Sequence, residues 1–317
     1  MTSTMFKARG PRTAHRVVAG GAGVRRRGVL PSGVPWIMPA FVLVVGLIYY
    51  AVVETGYLST LDWDGTYPYP THVGLSNYRA ILHDPIFWKA IWHTAVFFVV
   101  TFVAQTFLGF LFASLLHSRI RLARLYKVLV FTPVVLAPAT MAPVFRQMFA
   151  ADGQVNWLLH HIGLGFAAQP WLAQSSTALP VIMFITVWQF TGITFVLYYA
   201  AIGQIDPQTL EAARIDGASN VRTLVSIVWP GVRGTTVALA MLGVIGALKT
   251  FDVPYLVTVG GPNYSTEFLG TYIYRISLPQ AHVGYGAALS VLLLVLALLA
   301  ALVIAGRARR ERGDRRV

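Results

Sequence analysis

The 317-residue chain carries 56% hydrophobic and only 12% charged residues at a mean hydropathy of +0.62, more apolar side chain than a soluble domain buries. It has no cysteine, which excludes a disulfide framework, thiolate catalysis and any cysteine-bearing zinc or iron–sulfur site. A net charge of +13 raises nucleic acid as a partner, until the basic residues are placed.

They flank apolar segments. Residues 1–33 hold seven (Lys7, Arg9, Arg12, Arg16, Arg25, Arg26, Arg27) with no acid, and residues 307–317 hold six more. A bilayer-spanning helix needs roughly 20 mostly apolar residues, because every backbone polar group must be satisfied within the lipid. Six stretches qualify: Trp36 to Tyr57, Trp92 to Leu116, Val128 to Phe149, Thr177 to Ile202, Gly234 to Val259, and Val283 to Gly306. The expected fold class is all-α, a polytopic membrane helical bundle of six transmembrane helices. Within the third stretch Pro133, Pro138 and Pro143 interrupt the amide ladder and predict a bent or irregular helix.

Orientation follows from the basic residues. The two tails, the Arg119, Arg121, Arg124 and Lys127 cluster and the loop 204–233 together hold twenty, against Arg79, Lys89 and Arg275 on the other side. The asymmetry places both termini and the 204–233 loop in the cytoplasm. Trp63, Trp88, Trp157 and Trp171 then fall near the outer interface, where aromatic belts form. A nucleic-acid partner is not expected; the bilayer is. The first apolar run is too long for a signal-peptide core, lies behind about 33 residues and is followed by no A-x-A-like site, so it reads as a retained helix. Residues 1–33 have too few apolar groups to fold and are expected to be disordered. The chain thus divides into a basic cytoplasmic tail, 1–33; a first transmembrane helix and outer loop, 34–87; a transmembrane core, 88–306, that includes the loop 204–233; and a second basic tail, 307–317.

Catalytic patterns are missing from the sequence. There is no G-x-x-x-x-G-K-[ST] loop to cradle phosphates, no H-E-x-x-H and no G-x-S-x-G. His160-His161 is a lone pair that reads as a solvated polar face, and Gly163-Leu164-Gly165 follows no strand. No catalytic residue, metal ligand or cofactor site is expected in this chain.

The loop between the fourth and fifth stretches, QIDPQTLEAARIDGASNVRTLVSIVWPGVR, is too polar to span and too patterned for a flexible linker. Asp206 suits an N-cap, Pro207 the first helical position, and Ile205 can pack on Leu210 as a hydrophobic staple. The helix continues to Ile215 and meets Gly217, which suits a left-handed C-terminal cap. Ser219 or Asn220 caps a second short helix, which Pro230 limits or kinks. Ala212, Ala213 and Ala218 leave a shallow surface, and Glu211 and Arg214 can orient a partner through charged hydrogen bonds. The plainer reading is an amphipathic connector lying on the membrane surface.

These residues resemble the permease family of binding-protein-dependent ABC importers, whose cytoplasmic signature reads E-A-A, three residues, G, nine residues, I-x-L-P. Glu211, Ala212, Ala213, Gly217, Ile227 and Pro230 match, and Trp229 stands where Leu is usual. Phe251-Asp252, Gly260-Gly261-Pro262, Thr266, Tyr285-Gly286-Ala287-Ala288 and Gly74-Leu75-x-Asn77-Tyr78 further resemble the sugar-importer permeases of the maltose and glycerol-phosphate type, as the first of two paired permeases. The resemblance spans about Gly74 to Gly306. It implies a type I ABC importer permease fold in the cell membrane and a solute pathway shared with a second permease. It also implies two ATPase subunits, which carry ATP and Mg, and an extracytoplasmic binding protein that delivers a sugar or related solute. Glu211, Ala212, Ala213, Arg214, Asp216, Gly217 and Ala218, closed by Ile227 and Pro230, would then be the coupling helix region set into an ATPase.

Lys249 and Asp252 lie three residues apart inside the fifth stretch, expected on one helical face. A charge near the bilayer centre costs about 2.5–3.5 kcal/mol on insertion scales, so both should pair or face an aqueous path. One reading has them line a solute route with Trp188, Gln189 and Tyr255; the other is a structural pair near the outer boundary. A stand-alone secondary transporter or channel fits the six spans equally well, but needs no ATPase-docking loop and would be expected to show inverted halves with interrupted helices. An intramembrane enzyme would need a paired nucleophile and base, which the sequence does not offer.

Overall fold

The structure, a computed structural model, describes residues 34–117 and 122–313. The expected disorder of 1–33, the positions of Arg119 and Arg121, and the last residues of the basic tail lie outside the described residues. The chain opens with α1 (Val34–Leu58), a 25-residue helix. From Trp36 to Val53 nearly every side chain of it is exposed, as for a helix whose solvent is lipid.

A two-residue hairpin follows, β1 (Leu61–Asp62) against β2 (Thr71–His72), in antiparallel register Leu61↔His72. It is the one departure from an all-helical chain among the described residues. The short α2 (Ser76–Leu82) precedes α3 (Pro85–His117). At 33 residues, about 50 Å of helix, α3 is more than long enough to cross a bilayer. It packs most extensively on α7 (Ala178–Ile202), the central and most buried helix. Their backbones approach closely because Gly109 faces α7: a Cβ there would lie 2.7 Å from Thr194 Cγ2. Small residues at crossings of membrane helices serve this purpose.

The third stretch does not cross as a single helix. It is divided into α4 (Ala123–Val135) and α5 (Pro138–Met148), bent by 96°. Proline drives the preceding residue out of the helical region, and Ala137 and Leu136 are extended (ψ 138° and 126°). The proline spacing foretold an irregular helix; the structure makes it a right-angled break. Next come α6 (Gln154–His161) and a 3₁₀ turn at Gly165–Ala167, leading to α7.

Beyond α7 the loop builds α8 (Pro207–Ile215), α9 (Asn220–Thr223), a π turn at Leu224–Val228 and α10 (Trp229–Gly231), before α11 (Arg233–Leu248). The fifth stretch was also expected to be one helix. Instead α11 stops at Leu248 and α12 (Asp252–Thr258) restarts after a three-residue break. Pro254 supplies the reason. It has no N–H for the Thr250 carbonyl four residues back, and it is tolerated in the first turn of a new helix. Finally α13 (Leu269–Ser277) leads into α14 (Val283–Gly313), which runs on past residue 306, the expected end of the last span.

By length and composition four helices suffice to cross a membrane, and up to six spans arise if each bent pair is one; the second pair joins Asn220–Gly231 to Arg233–Leu248 at 62°. Three buried clusters hold residues 51–313 together. One joins Phe97, Phe145, Ile182, Ile185, Val257 and Phe268. A second joins Ile81, Phe87, Leu269, Tyr272 and Leu289. The third, around Phe195, Tyr198, Ile202, Val228 and Val232, lies where α7 meets the α8–α10 loop.

Candidate functional site

The loop folds much as its residues dictate. Asp206 accepts a hydrogen bond from the Gln208 N–H at 2.9 Å, and Pro207 opens α8. Ile205 and Leu210 are half-buried against the third cluster. At the far end the Ala218 N–H donates to the Ala213 carbonyl at 2.9 Å and the Gly217 N–H to the Arg214 carbonyl at 3.1 Å. With Gly217 at φ 75° this is a Schellman cap, which satisfies carbonyls the helix leaves orphaned. Ser219 then caps α9, its Oγ accepting from the Arg222 N–H at 3.3 Å.

One part of the expected surface differs. Ala213 is buried at 8% exposure; it packs inward and does not contribute to an outer face. Glu211, Ala212, Arg214, Asp216 and Gly217 are exposed, and Ala218 and Ile227 are half-buried. The reading of the sequence missed Ile215, which is 86% exposed at the end of α8. Val221 and Val225 are exposed nearby. Three β-branched aliphatic residues without an inward role, in so polar a stretch, were the available signal.

Pro230 does not break the chain where it stands. The Trp229 N–H reaches back five residues to the Leu224 carbonyl, and this wider turn accommodates a proline that has no N–H for Ser226 and would strike its carbonyl in a regular helix. The bend comes at Val232. Trp229, the departure from the usual Leu, sets its ring edge-on to Phe110 of α3 at 5.0 Å. It thereby joins the third cluster.

At the middle of the bundle α3, α7, α11 and the α11–α12 break enclose a cavity of about 390 Å³. Of the five expected pathway residues, Gln189, Lys249 and Asp252 line it. Trp188 does not; it packs edge-on to Phe145 at 5.1 Å. Tyr255 is also elsewhere, stacked on Phe251 at 5.0 Å with its hydroxyl 3.3 Å from that of Tyr274. Lys249 ends α11 and Asp252 begins α12, so the helix break, and not a shared helical face, brings them to the cavity. They form no ion pair with each other; among the described residues the one ion pair joins Glu267 and Arg275.

Gln189, 2% exposed, serves two sides. Its Nε2 donates to the Leu136 carbonyl at 3.1 Å, at the bend between α4 and α5. Its Oε1 is buried without a partner. Three lining donors are spent on backbone carbonyls, Gln105 Nε2 on Thr186 at 3.2 Å, Thr101 Oγ1 on Phe97 at 2.7 Å and Thr250 Oγ1 on Gly246 at 2.9 Å, while Lys249 adds an ammonium with three N–H donors. The lining thus combines acceptor lone pairs with one cationic donor, between the flat apolar walls of Phe102, Phe190 and Phe251.

The profile of the binding-protein-dependent transport system inner membrane components matches residues 105–312. The chain belongs to this family. It is 31% identical over 280 residues to a probable ABC transporter permease protein of Pyrococcus horikoshii, covering 88% of this chain and 96% of that one. A sulfoquinovosyl glycerol transport system permease of Agrobacterium fabrum is 29% identical, with 83% and 85% covered. The fold is also that of a solved bacterial alginate ABC transporter chain (TM-score 0.77, 22% identity, 87% and 93% covered), crystallised in complex with a periplasmic protein bound to an alginate pentasaccharide. The chain is thus a multi-pass membrane permease of the type I importer fold.

In this permease the residues of the second resemblance organise the end of the bundle away from α8. Asn77 Nδ2 donates to the carbonyls of Ser59 and Leu61, both at 2.9 Å. Tyr285 donates to Asp84 Oδ2 at 2.9 Å, and Tyr272 bonds the same oxygen. Burial, and then the bond to Asp84, push the Tyr272 phenol well above its ordinary pKa. Asp84 Oδ1 meanwhile caps α3 through the Ile86 N–H at 2.8 Å. The Gly260–Glu267 turn is pinned by Lys89 Nζ on the Asn263 carbonyl at 2.7 Å and by Thr266 on the Gly261 carbonyl at 2.9 Å. Beneath it, fully buried Glu267 pairs with Arg275 and accepts from Thr271 Oγ1 at 2.7 Å. Asp84, Glu267 and Tyr272 carried no signal in the sequence.

Proposed function

We propose that this permease is one of a pair forming the pathway of an ATP-driven importer in the cell membrane. Its α8–α10 loop is the surface on which a separate ATPase subunit docks, and its solute is a sugar or related polyol brought by an extracytoplasmic binding protein. The observation that carries the reading is the capped, rigid α8 ending in exposed Ile215, flanked by exposed Glu211, Arg214 and Asp216. An apolar knob in a charged rim is the composition of a docking surface. From α9 the π turn, α10 and α11 follow one another through the Val232 bend, and α8 is tied to them by the Gly217 cap and by Ile205 and Leu210 against the third cluster. A push on α8 therefore reaches the helix that lines the cavity. The excess of Lys and Arg on the loop side supports a cytoplasmic α8, on the side where ATP is.

The cavity supports the solute reading. Lys249 and Asp252 bring a donor and an acceptor without an ion-pair partner to the cavity beside Gln189, and a lining of both kinds between phenyl walls suits a hydroxyl-rich molecule. Trp188 and Tyr255 drop out of this reading. The names of several relatives, including a multiple sugar-binding transport permease of Streptococcus mutans, point the same way. The test is co-expression with a candidate ATPase subunit and a second permease. Glu211→Ala and Gly217→Pro should release or uncouple the ATPase while the permease still inserts; an ATPase that co-purifies and hydrolyses ATP normally with both variants would overturn the docking role.

A further inference from the structure

The connection from α5 to α7 plays no part in the function proposed above, and its chemistry is unusual for an exposed segment. Residues 153–171 contain no Asp, Glu, Lys or Arg. They lie at the opposite end of α7 from the α8–α10 loop. Their polar capacity is turned inward onto Asn156, buried at 4% exposure. Its Nδ2 donates to the Ala151 and Gln169 carbonyls at 3.0 and 2.9 Å, and its Oδ1 accepts from the Gln169 N–H at 3.2 Å and Trp171 Nε1 at 2.7 Å. Trp171 is thereby half-buried and no longer available to an aromatic belt.

Most of the large side chains that face outward are apolar, Trp157 at 60% exposure, Phe166 at 87%, and Leu158, Ile162 and Leu164, with Gln154 and His160 as uncharged polar neighbours. Even His161 is disguised, since its Nδ1 lies 2.8 Å from the Trp157 carbonyl and its ring stacks on the indole at 3.9 Å between centroids. Exposed apolar side chains gathered on one short segment mark contact with a membrane or another protein. Protein interfaces carry a polar rim, and no formal charge lies along 153–171. Val144 of α5 is exposed as well. We propose that α6 and the turn to Phe166 lie in the plane of the bilayer interface, with lipid headgroups and upper acyl chains as the occupant of this face. An amphipathic helix anchored by Trp and Phe behaves in this way.

The native chain has no cysteine, so each introduced thiol is unique. Trp157→Cys, Leu158→Cys and Phe166→Cys, spin-labelled in the full chain with its co-purifying subunits in phosphatidylcholine nanodiscs, would be read by collision with oxygen and with a water-soluble nickel chelate. Leu43→Cys, midway along α1, is the lipid reference and Asp152→Cys the aqueous one. The expected result is an oxygen-to-nickel collision ratio above that of Asp152→Cys at all three sites and below that of Leu43→Cys. Nickel collisions at the Asp152→Cys level would place the face in water. Low collision rates for both reagents would mean that protein covers it. Either result overturns the proposal. Phe166→Cys removes the ring least engaged with the protein and keeps the test open if Trp157→Cys assembles poorly.

Discussion

The side-chain amide of Gln189, at the middle of α7, donates to the carbonyl of Leu136 at the corner between α4 and α5. Lipid offers no hydrogen bond to a carbonyl freed by a broken helix, so a neighbouring helix must provide one. The corner and the central helix are thus fixed to each other by one residue, whose Oε1 is buried without a partner beside the cavity the residue lines. Gln189→Met keeps the volume and removes both functions. We expect it to lower the stability of the detergent-solubilised protein by about 1–3 kcal/mol, the cost of leaving a buried acceptor unpaired. Thermal unfolding would detect it. Gln189→Glu should also destabilise, because a carboxylate cannot donate to Leu136.

Ile215 separates docking from folding. Because the side chain is 86% exposed, Ile215→Glu should change the stability of the isolated permease by no more than about 0.5 kcal/mol. It should nevertheless reduce ATPase co-purification at least as much as Glu211→Ala. An unchanged yield of ATPase would remove Ile215 from the docking surface.

Gly217 can be graded by substitution. A Cβ there meets nothing within 4 Å, so the cost of Gly217→Ala is conformational, about 1–2 kcal/mol for an L-residue held at positive φ. Gly217→Asn should cost less, since Asn tolerates this region. Uptake should fall in the order Gly, Asn, Ala, with membrane insertion unchanged, as measured by transport against surface abundance.

The buried ion pair predicts non-additivity. Glu267→Gln strands Arg275 and should cost about 3–5 kcal/mol, whereas Glu267→Gln with Arg275→Met should recover part of that loss. Unfolding midpoints of the two single variants and the double variant form the cycle that checks it.

The sequence was most legible where structure is local. Asp206, Pro207, Gly217 and Ser219 act on neighbours within five residues, and each does in the structure what its chemistry dictates. The Pro138 corner was visible as a disturbance but not as a right angle, since the angle depends on how α4 and α5 pack on α7. Pro254 carries the same kind of signal for the break after Leu248, as do Lys249 and Asp252 on either side of it, but the length of the stretch from 234 to 259 reads as one span. Trp188 and Tyr255 were misplaced for a different reason: which side of a uniformly apolar helix faces a cavity is a tertiary property. Asp84 and its tyrosine partners lie 188 and 201 residues apart, beyond any local pattern.

The π turn at Leu224–Val228 has a bearing on length. It holds one residue more than a regular helical turn would, and each residue advances a helix by about 100°. The turn therefore sets the rotational phase between the face that carries Ile215 and the face of α11 that carries Leu242 and Gly243. Deleting one residue from it would leave every side chain of α8 intact and rotate α8 about a quarter-turn relative to α11. If α8 docks a partner as proposed, spacing along this segment matters to coupling as much as residue identity.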